Sequence, residues 1–298
     1  MAVIDVSIII PVKNGEKTIG ATLSMIYSQE SPYLFEVIII DSGSTDNTLQ
    51  IVKSHPARVY TIKPAEFAHG KVRNFGAELA NGKYLVYTTQ DAIPFDESWL
   101  ANLIRNFEEP DVAGVYGRQI PYETTNPIES FFIINHYPEM RSVKRKGSGS
   151  LDIDTIFFSD VNSSLLKTIW GKYPYDNEIN TGEDIEWAKS VLLAGYTIIY
   201  DPTAAVYHSH DFGLEGVFKK YYECGMAFSK YAKEEYRSTQ FFKEGFGYVM
   251  KEMGYLIKTG HIKWIPYAFI YDATKFLGII LGKNAFRFRR NKELGTII

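Results

Sequence analysis

Phe35 to Thr48 reads FEVIIIDSGSTDNT: an apolar run that ends on Asp41, a stretch of small and hydroxyl residues, then Asp46 ahead of a helical pattern. A strand so uniformly apolar is covered on both faces, which is the habit of parallel sheets flanked by helices. The same pattern extends on either side. Upstream lies VSIIIPV, followed by a helix with Ile19, Leu23 and Ile26 on one face. Downstream come a helix over Thr45 to Ser54, the strand RVYTI, a helix from Gly70 to Ala80 with Val72, Phe75 and Leu79 inward, and the strand KYLVYTT. Asp96 then caps a helix whose Trp99, Leu103 and Phe107 share a face. The expected fold is therefore α/β, with a mostly parallel sheet between helices and ligands beyond the carboxyl ends of its strands.

The second half is less regular. Pro121 to Asn126 reads as a linker and Lys144 to Ser150 (KRKGSGS) as a mobile basic loop. A strand near Ile156, a helix from Asn162, a helix from Gly182 to Ala194 and strands at TIIYD and AAVYH are expected next. From Leu214 the pattern is helical and rich in aromatics. The division is thus a catalytic-type domain over 1–212, with halves 1–120 and 121–212, and a helical, aromatic and basic region over 213–298.

The chain has 298 residues, 45% of them apolar, enough for a substantial core. Its net charge of −3 gives no general attraction to nucleic acid. A local exception is the last stretch, where Lys263, Lys275, Lys283, Arg287, Arg289, Arg290 and Lys292 face only Asp272 and Glu293. One cysteine, Cys224, excludes a disulfide framework and a cysteine-built zinc site, and points to a reducing, cytoplasmic setting. The opening MAVIDVSIIIPV enters a strand with no charged leader, and no apolar run approaches the ~20 residues of a membrane span. Neither export nor integral insertion is expected.

Four strand ends converge on one edge: Pro11, Val12 and Asn14; Asp41, Ser42 and Asp46; Thr89, Gln90 and Asp91; His208 to Asp211. Asp41 and the residues after it suit hydrogen bonds to a nucleoside, or merely cap a helix. In FAHGKVRNFGA, Gly70, Lys71, Arg73 and Asn74 open a helix, where N–H groups and a basic side chain can hold a diphosphate, or form a solvated basic turn. Asp91, alone at the end of YTTQD, can bind a divalent cation bridging that diphosphate, or merely cap the strand end. His208 and His210 stand two apart at a strand end, either as an ordinary pair of surface histidines or, with Asp91, as metal ligands, and imidazole beside carboxylate favours Mn²⁺ over Mg²⁺. Glu183 and Asp184 open the helix of GEDIEWA, either as dipole partners or with one of them as a general base.

These motifs, in this order, resemble the family-2 inverting glycosyltransferases of GT-A fold, a Rossmann-like architecture, and in particular their bacterial rhamnosyltransferase-like branch. The likeness runs from about Val3 to Phe228, through IIIPVKNGEKTIGATLSMIYSQ, FEVIIIDSGSTDNT, FAHGKVRNFGA, YTTQDAIPFD, GEDIEWA and VYHSHDF. It implies that Pro11, Val12, Asn14, Asp41, Ser42, Lys71, Arg73, Asn74, Gln90 and Asp91 surround a nucleoside-diphosphate sugar. It implies further that Asp91 with His208, and less directly His210, holds Mg²⁺ or Mn²⁺, and that Asp184 is the catalytic base supported by Glu183. Thr89 and Ser42 stand where many relatives carry acids, as the rhamnosyltransferase branch would have it. Asn162, Trp187 and the Lys144 to Ser150 loop are placed on the acceptor side.

The implied reaction moves a sugar, rhamnose from dTDP-rhamnose as the best expectation, onto a glycan or lipid-linked glycan of a bacterial cell-surface polysaccharide such as O-antigen. Two rivals carry other chemistry. A sugar nucleotidyltransferase would need a glycine-rich basic loop after the first strand, where PVKNGEKT stands. A non-catalytic scaffold binding a glycan or partner enzyme would have no use for Asp91 and Asp184. The segment Trp264 to Arg290 contains two uncharged runs, each too short to span a bilayer. It is expected either to lie on an anionic cytoplasmic membrane surface or to pack internally or against a second subunit.

Overall fold

The computed structural model describes residues 3–145, 153–177, 179, 181–231 and 238–295. Two compact units emerge: 1–120 with 137–208, and 121–136 with 209–298. The segment 121–136, read from sequence as the start of the half 121–212, thus groups with the C-terminal helices.

The first unit holds β1 (Val6–Val12), α1 (Ile19–Tyr27), β2 (Phe35–Asp41), α2 (Thr48–Val52), β3 (Arg58–Thr61), α3 (His69–Leu79), β4 (Tyr84–Thr88), β5 (Ile93–Pro94), α4 (Trp99–Ile104) and β6 (Val112–Ile120). After α5 (Pro127–His136), which belongs to the second unit, it continues with β7 (Ser142–Lys144), α6 (Ile153–Ile156), β8 (Asn162–Leu166), α7 (Lys167–Trp170), α8 (Glu183–Leu193) and β9 (Thr197–Tyr207). The nine-stranded sheet has the order β3-β2-β1-β4-β8-β6-β9-β5, with β7 beside β9. β1 to β4 are mutually parallel, and β6 is parallel to β9. β8 runs antiparallel to both β4 and β6, so β6 and β9 point the same way as β1. The ends of β1, β2, β4 and β9 therefore share one edge.

Alternation along β1 sends Val6, Ile8, Ile10 and Val12 into a cluster with Ile19, Leu23 and Ile26 of α1 and Leu100 and Leu103 of α4. On the other face, Ile9 and Ile40 lie close enough to Gly76 of α3 that a side chain there would collide with them. Both faces of the strands are covered, as their composition requires.

Several sequence expectations need correction. The helix expected over Thr45 to Ser54 is only Thr48–Val52; the residues before it are held in a turn by Asp46, which accepts bonds from Thr48 N–H and Oγ1. The strand placed near Ile156 is the short helix α6, and the helix placed from Asn162 is β8. The polar letters of NSSLL disguise a central strand whose Asn162 and Ser163 find partners inside the sheet. TIIYD and AAVYH are one strand, β9, with its register on β6 shifting between Gly117 and Gln119. Lys144 lies in β7, while 146–150 of the expected basic loop fall outside the described residues.

The second unit is helical: α5, α9 (Leu214–Tyr231), α10 (Ser238–Lys258) and α11 (Ile265–Gly295). Asn126 caps α5, its Oδ1 accepting from the N–H groups of Ile128 and Glu129 at 3.0 Å. α9 and α11 touch backbone to backbone. A Cβ on Gly282 would come within 2.1 Å of Tyr222 O, and one on Gly225 within 2.3 Å of Ile279 O. Ile128, Val217, Met253, Leu256, Ala268 and Tyr271 form the core. Beside it, Lys275 is paired with Asp272 at 3.3 Å and ringed by Phe132, Tyr221, Tyr248 and Tyr271, each centroid within 6 Å.

The two uncharged runs expected to be too short to cross a membrane join into one helix. Ile262–Ala285, with mean hydropathy 1.2, is long and apolar enough to cross by length and composition. Its Tyr271, Lys275, Gly278 and Gly282 are buried within the unit. The side chains of Arg287, Arg289, Arg290 and Lys292 lie outside the described residues.

Candidate active site

The loops after β1 and β2 are stitched together. Asn14, in the left-handed region at φ 49°, donates its N–H to Ser44 Oγ and accepts from Thr45 N–H at 2.8 Å. Asp41 is buried and receives the N–H groups of Gly43 and Ser44 at 3.0 and 3.1 Å. Ser42 donates to Val12 O at 3.2 Å. Gln90 pairs with the Lys13 backbone in both directions, at 2.8 and 3.1 Å, so its amide shapes the loop that begins at Pro11 and Val12. The residues expected around a nucleoside are thus brought together, and several of them fix the shape of the loops.

Asp91 and His208 meet at the same edge, Oδ1 to Nε2 3.8 Å. Two ligands of an octahedral ion with ~2.1 Å bonds stand ~3 Å apart at right angles, so a divalent cation fits after a closure of under about 1 Å. Carboxylate oxygen with imidazole nitrogen is a donor set suited to Mn²⁺. His208 is held by Gln119, whose Oε1 lies 2.8 Å from its Nδ1. His210 falls in the second unit, its ring against Phe212.

A second cluster gathers around α3 and α8. Gly182, at φ 83°, adopts the left-handed turn that starts α8, and Glu183, Asp184 and Glu186 occupy its first turn, where the helix dipole favours acids. The Arg73 guanidinium is buried and bonds Glu183 through Nη1, with Asp160 3.4 Å from Nε. Asp160 also accepts from Ser163 Oγ at 2.6 Å and donates its N–H to Asp184 Oδ2 at 3.3 Å. Asp184 remains partly exposed. Burial, then the charges of Glu183 and Asp160, push its carboxyl well above the usual range, against the opposing pull of Arg73. Burial pushes all three carboxyls up; Glu183 and Asp160 contact Arg73, and Asp184, partly exposed, is raised furthest above its usual range.

Four placements differ from the sequence expectation. Arg73, expected on the diphosphate side, is engaged with internal carboxylates. Asn74, expected at the donor, uses its whole amide within the fold. Nδ2 donates to Tyr175 O and Asn177 Oδ1 at 2.7 and 2.9 Å, while Oδ1 accepts from Trp170 Nε1 and Tyr175 N–H at 2.8 and 3.1 Å. Asn162, expected on the acceptor side, is fully buried in β8 and bonded to Trp99 Nε1 and Ala204 O, each at 2.8 Å. Trp187, also expected there, is fully buried against Phe158 with ring centroids 5.2 Å apart. Lys71 is exposed and lines a cavity of ≈ 610 Å³ with Ile62, Phe75, Trp170 and Tyr175. Asp160 and Gln119 were missed. Neither sits in a recognisable motif, and only a buried polar residue flanking a strand would have hinted at them.

Comparison with known proteins accords with this geometry. Residues 7–169 match the sequence family described as Glycosyl transferase family 2. The O-antigen chain rhamnosyltransferase RfbN of Salmonella typhimurium is 30% identical over 285 residues, 94% of this chain and 90% of that protein. The O-antigen chain rhamnosyltransferase WbaN of Salmonella anatum is 32% identical over 256 residues, 84% of this chain and 80% of that protein. Among solved structures, the mannosyltransferase PcManGT of Pyrobaculum calidifontis, in complex with GDP-Man and Mn²⁺, superposes with TM-score 0.63 at 16% identity, covering 93% of this chain and 87% of its own. S. aureus TarS 1-349 gives TM-score 0.56 at 18% identity, covering 95% and 91%. At such identities the structural likeness shows the fold, which is GT-A.

Proposed function

We propose, from the premise that this chain belongs to glycosyl transferase family 2 and is a glycosyltransferase, that it transfers rhamnose from dTDP-rhamnose to a growing cell-surface glycan or its lipid-linked form, with inversion. Membership rests on the family match over residues 7–169 and on relatives at 30% identity and above. It sets aside the nucleotidyltransferase and scaffold alternatives. The names of RfbN and WbaN support the choice of sugar and of acceptor, as does Thr89 in place of a second metal-binding acid.

The observation that carries the mechanism is the partly exposed, strongly basic Asp184, on the same sheet edge as Asp91 and His208. The acceptor hydroxyl gives its proton to the Asp184 carboxylate as its oxygen attacks the anomeric carbon. The new C–O bond forms opposite the breaking bond to phosphate, and the nucleoside diphosphate departs with that electron pair, inverting the carbon. Glu183 and Asp160 hold Arg73 and, with burial, keep Asp184 basic. A divalent cation bound by Asp91 and His208, Mg²⁺ or Mn²⁺, would supply charge against the diphosphate. The loops of Pro11 to Asn14 and Asp41 to Ser44 receive the nucleoside, and Lys71 supplies a free positive charge nearby.

The test is Asp184→Asn, which keeps shape and removes basicity. We expect kcat to fall by roughly 10² or more with dTDP-rhamnose affinity held, dTDP raising thermal stability in both forms more strongly with Mn²⁺ than without. Retained turnover would move the base elsewhere, and a larger shift with UDP or GDP would change the donor.

Peripheral attachment to an anionic membrane is supported by Phe269, Ile270, Leu277 and Leu281, all exposed along α11, and by the basic residues that follow in sequence. Changing Arg287, Arg289, Arg290 and Lys292 to Ala should release the protein from anionic vesicles at low salt, at about 1 kcal/mol per charge. Unchanged cosedimentation would leave packing or dimerisation as the role of that end.

A further inference from the structure

We propose that Gln119 is a positioning residue for the metal site, fixing His208 as the Nδ1–H tautomer so that its Nε2 lone pair is presented toward Asp91. This rests on the reading that Asp91 and His208 hold the cation. Gln119 and His208 are 5% and 7% exposed, in a setting where bulk water does not decide which ring nitrogen carries the proton.

The Gln119 amide stands with Oε1 toward the His208 ring and Nε2 away from it. Gln119 Nε2 donates to Tyr137 Oη at 2.6 Å and to Ser159 Oγ at 3.2 Å, which consumes both of its hydrogens. Oε1 is the atom left for the ring, at 2.8 Å, and as an acceptor it requires a proton on Nδ1. The neutral ring then has its lone pair on Nε2, the atom 3.8 Å from Asp91 Oδ1. Burial keeps the Tyr137 hydroxyl protonated, so the far end of the relay is a fixed neutral group.

The backbone holds the same register. After the shift beyond Gly117, Gln119 pairs with Val206 and Ile120 with Tyr207, and His208 N–H bonds Ile120 O at 2.9 Å. Ligand and positioning residue thus sit on adjacent strands whose alignment is set by hydrogen bonds outside the site. An amide is also the economical choice of partner. A carboxylate at this place would add a second negative charge beside Asp91, whereas the amide orients the ring without altering the charge offered to the ion.

The experiment uses the full chain. Long-range ¹H–¹⁵N NMR of metal-free protein, with His208 assigned by comparison with H208A, should show an Nδ1–H imidazole in wild type and a shift toward Nε2–H in Q119L. Mn²⁺ titrated by EPR with saturating dTDP should bind 10- to 100-fold more weakly to Q119L, the usual cost of losing a ligand's orienting partner. Q119E, which keeps an acceptor for Nδ1–H, should recover most of that loss. In an H208A background, Q119L should cause no further loss, which a merely structural role would not produce. An Nε2–H ring in wild type, or Mn²⁺ affinity unchanged in Q119L while H208A loses it, overturns the proposal. If H208A itself binds Mn²⁺ as wild type does, it is the metal reading that fails, and the proposal falls with it. Should Q119L not fold, the wild-type spectrum alone decides.

Discussion

Replacing Asn74 by Ala separates a structural amide from a donor contact. In the native fold this side chain makes four hydrogen bonds, two of them to the N–H and C=O of Tyr175, which is 2% exposed. A buried polar group left without its partner costs about 1–3 kcal/mol, so the two Tyr175 groups together contribute about 2–6 kcal/mol. Trp170 is half-buried and Asn177 exposed, so water can replace much of what they lose, adding under about 1 kcal/mol. The expected total is about 2–7 kcal/mol, large against the ~5–15 kcal/mol that holds a typical domain together. Urea unfolding, with the midpoint and slope analysed separately, measures it, and calorimetric titration with dTDP at a temperature where the variant remains folded measures donor binding. Lowered stability with near-normal nucleotide affinity is expected. Stability unchanged within ~1 kcal/mol together with lost nucleotide binding would refute the structural assignment and return Asn74 to the donor.

Two further outcomes follow from charge. Asp184 must be ionised to accept a proton, and its raised pKa places the acid limb of kcat above the ordinary carboxylate range near 4, activity falling as pH drops through it. Glu183→Gln removes a neighbouring negative charge and frees Arg73, so that limb should move to lower pH; a move upward in the kcat–pH profile would overturn the assignment. Glu252 is fully buried, and burial, then Asp272, pushes its carboxyl up to about 8 against the pull of Lys275. A carboxyl raised in the folded state stabilises below its unfolded pKa and loses that contribution as pH rises through the folded value. The wild type should therefore lose up to a few kcal/mol relative to Glu252→Gln between about pH 5 and 8, read from denaturant unfolding at each pH. Parallel curves would show that Glu252 is not the titrating group.

The first 120 residues were legible because their strands are monotonous. VSIIIPV, FEVIIID and KYLVYTT can be little else than strands covered on both faces, and the acids at their ends advertise the edge. Asp91 and His208 could be paired in advance because each terminates a strand running the same way. β8 was hidden because NSSLL satisfies its polar side chains through Trp99, Ala204 and Asp160, none of them near in sequence. Asn162 and Trp187 misled for the related reason that polarity or an aromatic ring near a site does not reveal which way a side chain faces. Asp160 and Gln119 gain their roles from neighbours across the sheet, so periodicity along one strand carried no trace of them.

The wide spacing of the partners around Arg73 also matters while the protein is being made. Arg73 and Glu183 are 110 residues apart in the chain, and Asn74 and Tyr175 are 101 apart. At ~5–20 residues per second, a nascent chain waits roughly 5–20 s between the appearance of Arg73 and that of Glu183. Until Asp160 and Tyr175 emerge late in that interval, α3 has neither a counter-charge nor the segment that covers it, and the guanidinium must stay in water because burying it unpaired is too costly. The first half of the sheet therefore cannot close its edge early. Loop closure over this distance makes the electrostatic cluster one of the last parts to assemble. A product truncated before Glu183 keeps only Asp160 as a counter-charge for Arg73, so incomplete chains leave this cluster unfinished and open to proteolysis.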